Sequence, residues 1–284
     1  MAFDPKPTKY PFPKDTGTHY LKVKKDNGAV FDKDYPYVDR SRRMRFGQFM
    51  VRVLFYLFVF ATARVRLGLR VEGRKNLKLH RETLKNGFVS CCNHVHLWDF
   101  ICVLYALRPR KPYLLAWAKN IRGENSTLIR LVRGIPIPEN DPHALAAMNK
   151  SLAGIFAENR SLHIYAEGSM WEYYQPIRPF KTGAAYIACR YGKPVLPLAF
   201  SYREPGFIRK KLFRQPAVFT LRIGEPVFAD PSLGRIEQRV ELTRRMHAAV
   251  CRLAGIDPEE NVYPPVYENS ERVDYYGTYE NWEK

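Results

Sequence analysis

The chain has few cysteines, and their arrangement limits what they can do. Five occur in 284 residues, Cys91, Cys92, Cys102, Cys189 and Cys251, an odd number with no CxxC pair. All five stand in apolar surroundings. That excludes a disulfide framework and reads as reduced core residues of an intracellular protein. Cys91 or Cys92 as a nucleophile competes with simple strand packing, which suits their apolar neighbours better. No G-x-S-x-G elbow occurs, so the serine nucleophile of that motif is excluded. No zinc-finger, KH or RRM signature occurs, and there is no internal repeat. A long apolar run is also missing. The longest uninterrupted one, Val53 to Ala61, has nine residues, against the about 20 that a membrane span needs.

Acid is the scarcer charge. There are 28 acidic residues against 46 lysines and arginines, giving a formal net charge of +18, which favours an anionic partner. The distribution narrows this further. Residues 40–75 carry ten basic residues and a single acid, Glu72, whereas Asp257 to Lys284 holds eight acids and two bases. Within the basic stretch lies the most apolar segment, residues 46–66, flanked by Arg40, Arg42, Arg43 and Arg45 before it and by Arg64, Arg66 and Arg70 around and after its end. Arg52 interrupts it. This pattern predicts an amphipathic helix lying on a membrane surface, with its arginines toward anionic headgroups. An ordinary core helix is the plainer alternative. The segment starts too far along the chain, after a charged, proline-rich lead, to be a signal peptide. The same basic charge could serve nucleic acid, but charges interleaved with aliphatic and aromatic residues suit lipid better, so no nucleic-acid partner is expected.

Residues 46% hydrophobic overall can build a proper core. Residues 1–45 lack periodicity and are expected to form an extended arm rather than a core element. After the amphipathic segment, strands are expected at 67–73, 87–92, 113–118, 134–138, 161–166, 194–201 and 218–223. Helices are expected at 100–107, 142–159, 182–191 and 236–253, and 128–133 leads into the short strand and turn at 134–138. This alternation implies an α/β layer fold over 67–255. An irregular, acidic, tyrosine-rich tail follows at 256–284.

The strand ending at Cys92 runs into Asn93-His94-Val95-His96-Leu97-Trp98-Asp99. On a regular helix His94 and Asp99 would face different directions, so they meet only if the segment is a turn running into a helix start. An aspartate on one imidazole nitrogen fixes the tautomer and leaves the other nitrogen to take a proton from an alcohol. The alternative is a metal-dependent hydrolase using His94, His96 and Asp99, although the remaining histidines show no ligand spacing. A second strand end, Tyr165-Ala166-Glu167-Gly168-Ser169, precedes Arg178-Pro179-Phe180-Lys181-Thr182-Gly183-Ala184 and then Pro194-Val195-Leu196-Pro197.

In this order, these pieces resemble the glycerolipid acyltransferase family typified by lysophosphatidate acyltransferase, from about Leu67 to Ile223. Asn93-His94 through Asp99 looks like its first block, and Gly134 to Asn140 takes the place of the second. Glu167-Gly168 with Pro179-Phe180-Lys181-x-Gly-Ala looks like the third, and Pro194 to Pro197 like the fourth. The resemblance implies a mixed, mostly parallel sheet flanked by helices. It also implies that His94, steadied by Asp99, deprotonates an acceptor hydroxyl, which attacks a fatty acyl thioester. The co-substrate would be acyl-coenzyme A or acyl carrier protein, with no bound cofactor and no metal. Glu167 and Gly168 match the family's acceptor-binding third block, and Ala118-Lys119 echoes its Ala-Lys pair, placing Lys119 near phosphate. The implied setting is the cytoplasmic face of a membrane, with a lysolipid acceptor such as 1-acylglycerol-3-phosphate and an anionic surface as partners. A basic membrane-binding protein with a degenerate acyltransferase fold is the non-enzymatic alternative.

Two departures stand out. The family's third block usually continues Glu-Gly-Thr-Arg, with the arginine linked to acceptor phosphate, but Met170 occupies that position. Asn140 stands where the second block usually ends in arginine. Neither residue can replace a bidentate phosphate contact. Arg133, Arg178 or Lys181 are the cations that could stand in, and the insertion Trp171–Pro176 is expected to add aromatic surface. Together these features imply an acceptor less dependent on a single phosphate clamp.

Overall fold

The computed structural model describes residues 3–5, 26–139 and 141–261. Much of the expected N-terminal arm, nearly all of the acidic tail and Asn140 lie outside them. Seven strands form one sheet: β1 (Arg70–Glu72), β2 (Val89–Cys92), β3 (Tyr113–Trp117), β4 (Gly134–Ile137), β5 (Leu162–Tyr165), β6 (Val195–Arg203) and β7 (Val218–Ile223). Their order is β1-β7-β6-β2-β5-β3-β4. Every pairing is parallel except β6 with β7. The fold is therefore α/β, a mixed, mostly parallel sheet with helices on its faces. Parallel strands covered on both sides read as continuous apolar runs, and β2 and β5 are buried almost throughout.

Two aliphatic and aromatic cores flank the sheet. Residues 26–41 are irregular, yet they are not an arm. Phe31 and Tyr37 are buried in one of these cores, and Asn27 bonds its amide to the Arg122 carbonyl at 2.9 Å. Asp26 and Asn27 satisfy the backbone locally through bonds to the amides of Gly28 and Ala29. These turns hide buried aromatics inside a segment with no period to read.

The apolar segment is a continuous helical run from Arg42 to Leu67 with a π turn at Phe55–Val59. Ser41 caps its start, accepting from the Met44 amide at 3.1 Å, and Gly68 ends it at φ 57°, a conformation that glycine adopts without strain. At 26 residues it is long and apolar enough to cross a membrane by length and composition. Its packing, however, runs lengthwise along the domain. Gly47 approaches Leu131 so closely that a Cβ would collide, and further along Phe60 meets Tyr105 edge-on with ring centres 5.3 Å apart. Arg66, near its end, sits over Trp98. The opposite face carries Phe46, Leu57, Phe58 and Val65, all more than 60% exposed.

Candidate active site

The loop after β2 is shaped by Asn93. Its side chain accepts from the Phe200 amide at 2.8 Å and donates to the Phe200 carbonyl at 3.1 Å. One amide thus supplies a further rung beside β6 where the β2–β6 ladder ends at Pro197, freeing the backbone to turn. His94 follows, and Asp99 opens the Asp99–Leu107 helix. The turn into a helix start brings the two together: His94 Nδ1 lies 2.6 Å from Asp99 Oδ2. The same oxygen accepts from the Val95 amide at 3.1 Å. Asp99 is 1% exposed, whereas the His94 side chain is 21% exposed. Nδ1 therefore carries the proton, and Nε2 faces outward without a hydrogen bond among the described residues.

The imidazole is held from behind. Tyr165, the last residue of β5, stacks on it with ring centres 3.8 Å apart and planes 13° from parallel. Burial first, then the nearby Asp99, pushes the Tyr165 phenol well above its ordinary value, so it stays neutral. Beneath lies His163, whose Nδ1 is 2.9 Å from the Ser90 hydroxyl; burial lowers it to about 3. Neither Tyr165 nor His163 carried a signal in the sequence, because a tyrosine and a histidine within an apolar strand look like any other core positions.

Glu167 and Arg178 occupy the interior. Glu167 is 3% exposed and Arg178 1%, and they form an ion pair at 2.7 Å. Glu167 Oε2 also accepts from the His94 amide at 2.9 Å, and Oε1 from the Arg178 amide at 2.9 Å. Arg178 donates to the Ser169 hydroxyl at 2.6 Å and lies over the Trp171 ring. Glu167 is thus turned onto the loop that carries His94, and Arg178 onto Glu167 and Ser169. Trp171–Tyr174 is a strap over that same loop: the Trp171 and Tyr173 amides donate to the carbonyls of His94 and Val95, both at 3.0 Å. The expected aromatic surface is in fact core, with Trp171, Tyr173 and Tyr174 all buried along with Met170. Aromatic side chains bury more area than they could usefully expose here.

The remaining cations separate by position. Lys181 is exposed and its side chain lies across Gly168, whose φ of 82° and lack of a Cβ leave it room. It sits at the same strand end as Glu167. Lys119, in the Ala118–Arg122 helix, is also at the carboxyl edge, two strands from His94, with its ammonium over Trp117. Arg133 immediately precedes β4 and lies at the opposite, amino edge, donating to the Lys111 carbonyl, so it cannot serve the His94 site.

His96 points elsewhere. Its Nδ1 accepts from the Trp98 amide at 3.0 Å and its Nε2 lies 3.3 Å from Glu172. Burial lowers it to about 4. Among the described residues no group of three or more His, Cys, Asp and Glu is placed to hold a metal ion. Cys91 and Cys92 are fully buried, and burial pushes Cys91 up to about 12 and Cys92 well above its ordinary value. A thiol that stays protonated is a poor nucleophile.

Residues 68–201 match the Acyltransferase family. The His94–Asp99 site and all four blocks lie within this stretch. Among solved structures the chain is similar to the 1-acyl-sn-glycerophosphate (LPA) acyltransferase, PlsC, from Thermotoga maritima. The identity is 20%, over 76% of this chain and 85% of that one, at a TM-score of 0.44. No curated protein matches the chain significantly.

Proposed function

We propose that this acyltransferase works on a membrane surface, moving a fatty acyl group from a coenzyme A or carrier-protein thioester to a hydroxyl of a glycerolipid. The observation that carries the chemistry is the 2.6 Å contact between His94 Nδ1 and the buried Asp99 carboxylate, with Nε2 left outward. Nε2 takes the acceptor's hydroxyl proton as the oxygen attacks the thioester carbonyl. Asp99 stabilises the imidazolium, which then protonates the departing thiolate. Base catalysis of this kind contributes about 10²–10⁴-fold. Glu167 acts as a positioning residue through its bond to the His94 amide, and Arg178 through its ion pair with Glu167. Lys181 and Lys119 are the cations left to meet an acceptor or donor phosphate. The burial of Met170 supports an acceptor less dependent on a single phosphate clamp than lysophosphatidate.

The membrane setting is supported by the exposed face of the 42–67 helix and by a second element. The short helix Phe207–Phe213 presents Phe207, Ile208 and Leu212, each about 70% exposed or more. Its Arg209 donates to the Arg66 carbonyl at 3.2 Å, so the two apolar faces adjoin. A helix docked lengthwise suits lying in the interface better than spanning the bilayer.

The test offers acyl-coenzyme A and acyl carrier protein in parallel with a panel of lysolipids and glycerol 3-phosphate. Transfer to a glycerolipid acceptor is expected, abolished in His94→Ala. Strong preference for lysophosphatidate over neutral or larger-headgroup lysolipids would overturn the acceptor assignment; transfer undiminished in His94→Ala would overturn the mechanism.

A further inference from the structure

A shallow hollow, open to solvent on one side, lies between the 42–67 helix and the amino edge of the sheet. Phe55, Leu104 and Val132 contribute apolar wall, Arg52, Lys111 and Arg133 contribute charge, and no acidic residue lines it among the described residues. It is separate from the His94 site. Lys111 and Arg133 precede β3 and β4, while His94 follows the carboxyl end of the parallel β2. The five residues of β3 alone span about 16 Å at about 3.3 Å each.

Its cations are not used up internally. Arg52 lies over the Phe49 ring, and Arg133 lies over the Tyr113 ring and donates to the Lys111 carbonyl, neither of which neutralises its charge. Glu158, near enough to act on Arg133, is paired with Arg40. Burial, then repulsion from Arg52, Arg133 and Arg160, holds Lys111 below its ordinary value. Like charges gathered beside an apolar hollow are relieved by a ligand that brings an anion and a hydrocarbon together.

We propose that this cavity binds one anionic phospholipid of the bilayer, with its chain against Phe55, Leu104 and Val132 and its phosphate among Arg52, Lys111 and Arg133. Such a lipid touches both walls, so it fastens the apolar helix to the amino edge of the domain. The inference is independent of the chemistry at His94.

The experiment is native mass spectrometry of the full chain in neutral detergent, after exposure to equal amounts of phosphatidylglycerol and phosphatidylcholine. One retained phosphatidylglycerol per chain is expected, at the same level in His94→Ala. The double variant Arg52→Gln/Lys111→Gln loses two charge-assisted contacts, and retention falls about tenfold or more. Leu104→Trp, which fills the hollow, excludes the lipid. If Leu104→Trp fails to fold, the rim double variant carries the test alone. Equal retention of phosphatidylcholine, or retention unchanged in the rim variant, overturns the proposal. So does loss in His94→Ala, which would make the lipid an acceptor, or displacement by free coenzyme A, which would make the cavity a donor site.

Discussion

At the scale of single residues, His94 and Asp99 are legible because they are close in sequence and a strand end dictates the turn that joins them. The Glu167–Arg178 pair is not legible in the same way. Both residues can be picked out, but only the folded arrangement shows that they pair with each other. A buried charge whose partner is removed is costly. Arg178→Met is therefore expected to lower stability by about 3–5 kcal/mol, seen as a lower urea midpoint with unchanged slope. Unaltered stability together with a raised acceptor KM would return Arg178 to the binding role its motif suggests. Met170, which stands where an arginine is usual, is explained by the same burial: its side chain is core, packed with the aromatic strap.

At the scale of elements, all seven strands stand close to where the apolar runs put them, because strands covered on both faces leave an uninterrupted signature. The short helices at Arg74–Leu79, Arg81–Leu84, Ala118–Arg122, Ser126–Leu131 and Phe207–Phe213 went unread, being too brief for a 3.6-residue period to repeat. The last of these carries an exposed apolar face that the proposed membrane contact would use. Replacing Phe207 and Ile208 with serine, or Leu57 and Phe58 with serine, is expected to weaken binding to anionic vesicles about tenfold or more per pair. The denaturation midpoint should scarcely move, because these side chains contact little protein. Co-sedimentation with vesicles measures the first effect and urea denaturation the second. A collapse of stability would mean that these faces pack against protein instead.

At the scale of the whole molecule, two buried histidines tie stability to acidity. His96 and His163 are held neutral by burial, at about 4 and about 3, against about 6.5 when unfolded. The unfolded chain therefore binds protons more readily below about pH 6.5. Stability from these groups is full above that pH and drains away as pH falls toward 4. At about 1.4 kcal/mol per unit, His96 accounts for up to about 3 kcal/mol of that loss. Urea midpoints measured between pH 7 and pH 4 should decline, and His163→Phe should flatten the decline. A pH-independent midpoint over that range would show that neither histidine is kept neutral.

The lengthwise seat of the 42–67 helix has a consequence for the proposed membrane reading. If that helix lies along a bilayer, Arg66 over Trp98 beside the His94 loop would carry the imidazole at a set height above the leaflet. A lipid acceptor would then arrive by lateral diffusion and not from bulk solution. What the enzyme would sense is how crowded the leaflet is with acceptor, a two-dimensional density. Diluting the acceptor with inert lipid should slow the enzyme even when the total amount of acceptor in the tube is unchanged.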